Sequence, residues 1–175
     1  MLLGPLMPQV DYPDREAHEA LRLGELSPLL AELVLPDATR LSEVASELSS
    51  DDEVTRADAA AALGSEFRRR SAATLVNLVS QHLVSDSSHT VRSACAWCLC
   101  QWGELARPAL AELMQATHDD NPSVRLWSVR SLSRLNLKRD EVLAVLPALA
   151  CRLTDIDCDV RFAAHEGVAA HCCRL

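Results

Sequence analysis

Asp119-Asp120-Asn121-Pro122-Ser123-Val124-Arg125-Leu126-Trp127-Ser128-Val129-Arg130-Ser131-Leu132 is the stretch from which the fold is read. Asp, Asn and Ser cap helix N-termini, and Pro is tolerated in a first helical turn. With Val124 as position zero, Ser128, Leu132 and Leu135 follow at four, eight and eleven. Those offsets share one stripe of a 3.6-residue helix. The same phrase returns three times. Asp51-Asp52-Glu53-Val54 leads to Arg56 and Leu63-Gly64, Asp86 leads to Val91-Arg92 and Leu99, and Asp155-Ile156-Asp157 leads to Val160-Arg161 and Val168. The arginines are spaced by 36, 33 and 36 residues. Such a period marks units that cannot bury their apolar face alone and must stack.

A second echo precedes the phrase. Pro28-Leu29-Leu30-Ala31-Glu32-Leu33 matches Pro108-Ala109-Leu110-Ala111-Glu112-Leu113, with a longer variant from Pro147 and a proline-free one from Ala73. Each repeat therefore predicts a hairpin, helix A followed by helix B, with proline near the start of most A helices. A lone helix B is expected over 13–24 and an extra helix over about 38–49. The expectation is about ten helices. Residues 1–12 form an irregular segment, and 13–175 a single repeat domain, degenerate over 13–50 and regular over 51–175. No polar capping helix follows the last repeat, so the expectation is either a fragment of a longer solenoid or an end open to end-to-end packing with another chain.

The apolar fraction of 49% with only 3% aromatics predicts a core of Ala, Leu and Val. The net charge of −8 disfavours nucleic acid, whose backbone demands clustered cations, and Arg68-Arg69-Arg70 is the one basic run. No stretch reaches the roughly 20 apolar residues of a membrane span. The start, Met1 to Met7, lacks the basic region of a signal peptide. Seven cysteines, an odd number set mostly in predicted helices, read as reduced thiols of a cytoplasmic protein.

With Asp, Val-Arg, a small residue, Leu and then Gly or a small residue at these offsets, the chain resembles HEAT-repeat proteins. The flavour is that of phycobilisome-lyase-type HEAT-like repeats, over about residues 14–175. The resemblance implies an all-α, right-handed solenoid of helical hairpins. It also implies that Arg56, Arg92, Arg125 and Arg161 tie each repeat to the next through the aspartates. Its functional content is broad, because such repeats serve as scaffolds, adaptors, transport factors and a few enzymes.

The sharper chemistries fail on residue type and spacing. HEAT-like deoxyhypusine hydroxylase places a His-Glu pair directly after the Val-Arg step in four repeats. Here Ala57-Asp58, Ser93-Ala94, Leu126-Trp127 and Phe162-Ala163 stand there, while His18-Glu19 and His165-Glu166 fall elsewhere. Cys95 and Cys98 lie near the apolar stripe with Cys100 turned away, and packing explains them better than zinc. Neither a Gly-x-Ser-x-Gly elbow nor a phosphate-cradling loop is present. No cofactor, metal or catalytic residue is assigned.

Offsets two, six and nine of the B helices lie opposite the core stripe and are expected to be wet, on the concave face of the solenoid. Trp97, Leu126, Arg130, Phe162 and Glu166 occupy offsets two and six. Aromatic residues beside arginine have the composition of interface hot spots. Trp127, at offset three, is expected to pack between helices. The function expected is a non-catalytic scaffold or adaptor whose partner is another protein, holding a peptide or helix on these five residues. The alternative is a small enzyme or chaperone of the bilin-lyase type.

Overall fold

A computed structural model of the chain describes residues 39–66 and 72–173. Leu41–Leu175 forms one compact unit. Residues 39–47 are helical. Seven α-helices follow: α1 (Glu53–Glu66), α2 (Ala72–Ser85), α3 (His89–Trp102), α4 (Leu110–Ala116), α5 (Pro122–Arg134), α6 (Arg139–Arg152) and α7 (Cys158–Cys172). A 3-10 helix, Gly103–Ala109, precedes α4. Among the described residues there are thus seven bounded α-helices, not about ten. The expected helix 13–24, the echo from Pro28, the irregular segment 1–12 and the arginine run all lie outside them. No helix of the described residues is long and apolar enough to cross a membrane.

The B helices α1, α3, α5 and α7 pack side by side in that order, and α2, α4 and α6 pack on α3, α5 and α7 as the A layer. The stripe read from the sequence is the core. Val91, Cys95, Leu99 and Trp102 on α3 are buried, as are Val124, Ser128 and Leu132 on α5 and Leu135 just past its end. Ala59, Ala60, Ala96, Ala106 and Ala164 fill the gaps between leucines, which lets the helices approach closely. One close approach is at Gly64. A Cβ there would lie 2.7 Å from Trp97 Cζ3 and 3.0 Å from the Cys98 Cα.

Local chemistry sets the helix ends. Asp52 Oδ2 accepts from the Thr55 amide, Asn121 Oδ1 from the Ser123 amide, and Asp157 Oδ1 from the Asp159 and Val160 amides. Gly103, with φ of 55°, stops α3. One expectation fails here. Pro147 lies inside α6, not near its start. The helix tolerates it because Pro147 and Leu143, whose carbonyl it leaves without an amide, are both exposed.

Candidate functional site

The repeats are tied together at both ends of the B helices. At the N-terminal end, Arg56 forks onto Asp86 at 2.8 and 3.0 Å, Arg92 onto Asp119 at 2.7 and 3.0 Å, and Arg125 onto Asp155 at 2.9 and 2.7 Å. Each guanidinium also donates through Nη1 to two carbonyls of its own loop, six and five residues back. Arg161 makes the same clamp on the Asp155 and Ile156 carbonyls. Burial alone would raise the Asp86 carboxyl, yet Arg56, the Ser88 amide and His82 hold it down at about 2. Asp119 and Asp155 are also held low against burial, by Arg92 and Arg125.

The register of these rungs corrects the sequence reading. Six residues before Arg56 stands Ser50, not Asp51 or Asp52. Ser50 Oγ accepts from the Asp52 amide just as the three rung aspartates accept from the amide two residues on. Val54 stands two residues before Arg56, where Val91, Val124 and Val160 stand one before their arginines, and it is 60% exposed.

At the C-terminal end, each B helix sends a donor back to a late carbonyl of the one before it. Trp102 Nε1 donates to the Leu63 carbonyl, Arg134 Nη1 to Cys100 and His171 Nε2 to Leu132. These carbonyls lie in the last turns of their helices, where the i+4 amides run out, and the Leu132 carbonyl also accepts from the Leu135 amide. The A layer adds Arg107, whose fork meets Glu141, and Glu104, which accepts from the Asn136 amide.

Between α1, α3 and α5 the B-helix surface opens into a cleft of about 500 Å³. Trp97 and Trp127, from consecutive repeats, line it together with small Ala61, Ser93 and Ala94. His89 and Thr90 at the start of α3, and Asn121 and Ser123 at the start of α5, form a polar rim. Two helix N-termini therefore border an otherwise apolar cleft, an arrangement that favours carbonyl or anionic groups at that end.

Of the five expected contact residues, only Trp97 lines this cleft, and it is half-buried against Gly64. Leu126 is half-buried and packs on the core. Arg130 lies over the Trp127 ring, 5.1 Å from its centroid. Phe162, 61% exposed, and Glu166 lie on α7 away from the cleft. Trp127 does pack on the core as expected, but it also lines the cleft.

The expectation that offsets two, six and nine are all wet is wrong, and stacking explains why. α1, α3 and α5 are each covered by the next B helix. At offset two Ala57 is buried, Ser93 and Leu126 are half-buried, and Phe162 alone is open. At offset nine Gly64 and Cys100 are buried. Cys100 therefore does not turn away to solvent. It sits near Arg134 and Arg130 of α5, and burial raises its thiol.

Cys95, Cys98 and Cys100 are free and buried, whereas Cys151, Cys158, Cys172 and Cys173 are free and exposed. Burial pushes the Cys95 and Cys98 thiols up, which silences them as nucleophiles. Among the described residues, Asp157, Cys158 and Asp159 bring three ligand atoms within 4.8 Å. Asp157 is already engaged as the α7 cap, and the other two are exposed neighbours in sequence.

A family model described as HEAT repeats matches residues 76–169. It matches HEAT repeats as such and does not reach the phycobilisome-lyase type. No curated protein matches the chain. Among solved structures, an engineered protein is similar with a TM-score of 0.62 at 17% identity, over 75% of this chain and 62% of that one. A designed armadillo repeat protein in complex with the peptide (KR)4 is similar with a TM-score of 0.62 at 16% identity, over 78% and 66%. The chain thus spans just under two thirds of the length of each. At these identities the likeness shows a stacked helical-repeat fold.

Proposed function

The chain belongs to the HEAT-repeat family, and from that premise we propose that it is a non-catalytic scaffold or adaptor holding a segment of another protein on the concave face of a right-handed solenoid. One observation carries this reading: two tryptophans from consecutive repeats line an open cleft whose remaining walls are small and uncharged. Large aromatic side chains beside room for a partner give the most binding energy per contact. The partner segment, extended or helical, seats its apolar side chains between Trp97 and Trp127 and runs past Arg130 and Leu126. Phe162 and Glu166 continue the contact onto the last repeat. The net charge of −8 favours a basic partner, as with the peptide bound by the designed armadillo repeat protein. Binding then weakens as salt is raised. Free thiols, three of them buried, suit a cytoplasmic setting.

Intrinsic fluorescence tests the reading directly, because all three tryptophans lie on α3 and α5. The (KR)4 peptide is the first probe, followed by peptides selected for binding to the purified chain. Ser93→Arg fills the cleft from a half-buried position and is expected to abolish binding without lowering the melting temperature. A Ser93→Arg variant that binds as the parent does rules the cleft out. Phe162→Ala is expected to weaken binding at unchanged stability.

A further inference from the structure

The three tryptophans differ in what their indole N–H meets. Trp102 Nε1 donates to the Leu63 carbonyl. Among the described residues, the N–H groups of Trp97 and Trp127 meet no protein acceptor, and neither nitrogen is buried. The packing of Trp97 decides which of its edges stays open. Its Cε3–Cζ3 edge lies against Gly64, so the opposite edge, which carries Nε1, faces away from α1. Arg130 covers one face of the Trp127 ring, and the ring lines the cleft beside that contact.

The rest of the lining has the same bias. Among the described residues no carboxylate lines the cleft. At its polar end Asn121 Oδ1 is already taken by the Ser123 amide, while Ser88 leaves the first-turn amides of α3 without a side-chain cap. His89 and the hydroxyls of Thr90, Ser93 and Ser123 can donate or accept. The remaining walls are Ala61, Ala94 and the two indole rings. The cleft is thus an apolar slot whose unpaired fixed polar groups are donors.

We propose, resting on the cleft reading above, that the segment held there is an extended, proline-bearing stretch of the partner, whose backbone carbonyls accept from Trp97 Nε1 and Trp127 Nε1. A segment in polyproline II conformation makes no internal hydrogen bonds, so its carbonyls are available. Proline brings no N–H of its own to a slot poor in acceptors. Its ring is apolar and its backbone stiff, so it docks between aromatic walls at little cost in ordering. A helical segment meets the opposite difficulty. Its carbonyls are spent within the helix, and seating it strips water from two indole donors without replacing it. Arginine or lysine on either side of the prolines answers the net charge of −8.

Two probe peptides of equal charge test this on the full chain: octaproline and octa-alanine, each flanked by arginines and blocked at both ends. Tryptophan fluorescence should show octaproline binding about tenfold tighter or more, because each alanine adds an N–H that the slot leaves unpaired. In a nitrogen–proton correlation spectrum the indole signals of Trp97 and Trp127 should move downfield at saturation, while that of Trp102, already bonded, stays in place. Trp127→Phe keeps an aromatic face without the donor and should weaken octaproline binding about threefold to tenfold. Equal or tighter binding of octa-alanine, bound octaproline with both indole signals unmoved, or a Trp127→Phe variant that binds as the parent does overturns the proposal. If octaproline fails while (KR)4 or a selected peptide binds and is blocked by Ser93→Arg, this inference falls and the cleft stands. If every peptide fails, both fall.

Discussion

Removal of the Asp155 carboxylate is the sharpest probe of what joins the repeats. Its side chain is only 2% exposed and accepts from Arg125 Nε and Nη2, Arg152 Nη1 and the Asp157 amide. Asp155→Ala leaves the Arg125 guanidinium, itself 9% exposed, with two loop carbonyls and no hydrogen-bonded carboxylate, only the more distant charges of Asp157 and Asp119. Breaking a buried pair by deleting one partner costs about 3–5 kcal/mol. The low end applies here, because an open polar hollow lined by Arg125, Arg152 and Asp155 lets water reach the orphaned cation. With a urea slope of about 2 kcal/mol/M, a loss of about 3 kcal/mol lowers the midpoint by about 1.5 M. Asp155 lies in the loop between α6 and α7, so this hairpin should detach first. Circular dichroism should then fall at lower urea than the fluorescence of Trp97, Trp102 and Trp127, which lie on α3 and α5. Asp119→Ala, at a rung 12% exposed and with three donors, should cost less. A midpoint shift under about 0.5 M for Asp155→Ala would class the rung with surface pairs and refute the argument. A larger loss for Asp119→Ala than for Asp155→Ala would refute it equally.

Acid should unlace the rungs. A carboxylate whose pKa is lower folded than unfolded stabilises the fold above its unfolded value, near ~3.9, and that contribution fades as pH falls through the folded value. Asp86 is held at about 2, and Asp119 and Asp155 are held low in the same sense, so stability should drop between about pH 4 and pH 2. A urea midpoint constant across that window would contradict it. Gly64→Ala drives a methyl into Trp97 and the Cys98 backbone, and a loss of about 1–3 kcal/mol is expected, with a shift in tryptophan emission. Of the seven thiols, native protein should yield four to a bulky thiol reagent, Cys151, Cys158, Cys172 and Cys173, and denatured protein all seven. Rapid native labelling of Cys95 would show that α3 is less well packed than its burial indicates.

The core was legible because it depends on periodicity alone. Val91, Cys95, Leu99 and Trp102 declare one face of a helix wherever the neighbouring repeats lie. The Arg–Asp ties follow from the same repetition, but their register does not. Asp51 and Asp52 beside Ser50 draw the eye to the charge, whereas counting six back from each arginine finds Ser50, Asp86, Asp119 and Asp155. The exposure of offset two was not legible. Ala57 and Phe162 hold equivalent places, and only the presence or absence of a covering helix separates them. The cleft was half legible. Trp97 was found by its offset, but His89, Thr90, Asn121 and Ser123 precede position zero, outside the helical stripe being counted. Continuing the register into negative offsets would have reached them.

The opposed direction of the two sets of ties has a consequence for how such a chain can evolve. Arginine reaches forward to the next aspartate, while Trp102, Arg134 and His171 reach back to the preceding helix. The segment from Asp86 to His118 therefore contains one carboxylate for the repeat before it, one guanidinium for the repeat after it, and one backward donor. Duplicating or excising that segment in frame conserves every rung, because whatever is added arrives with its own complement. Array length can change by whole units in a single genetic event, while a shift of a few residues breaks ties on both sides.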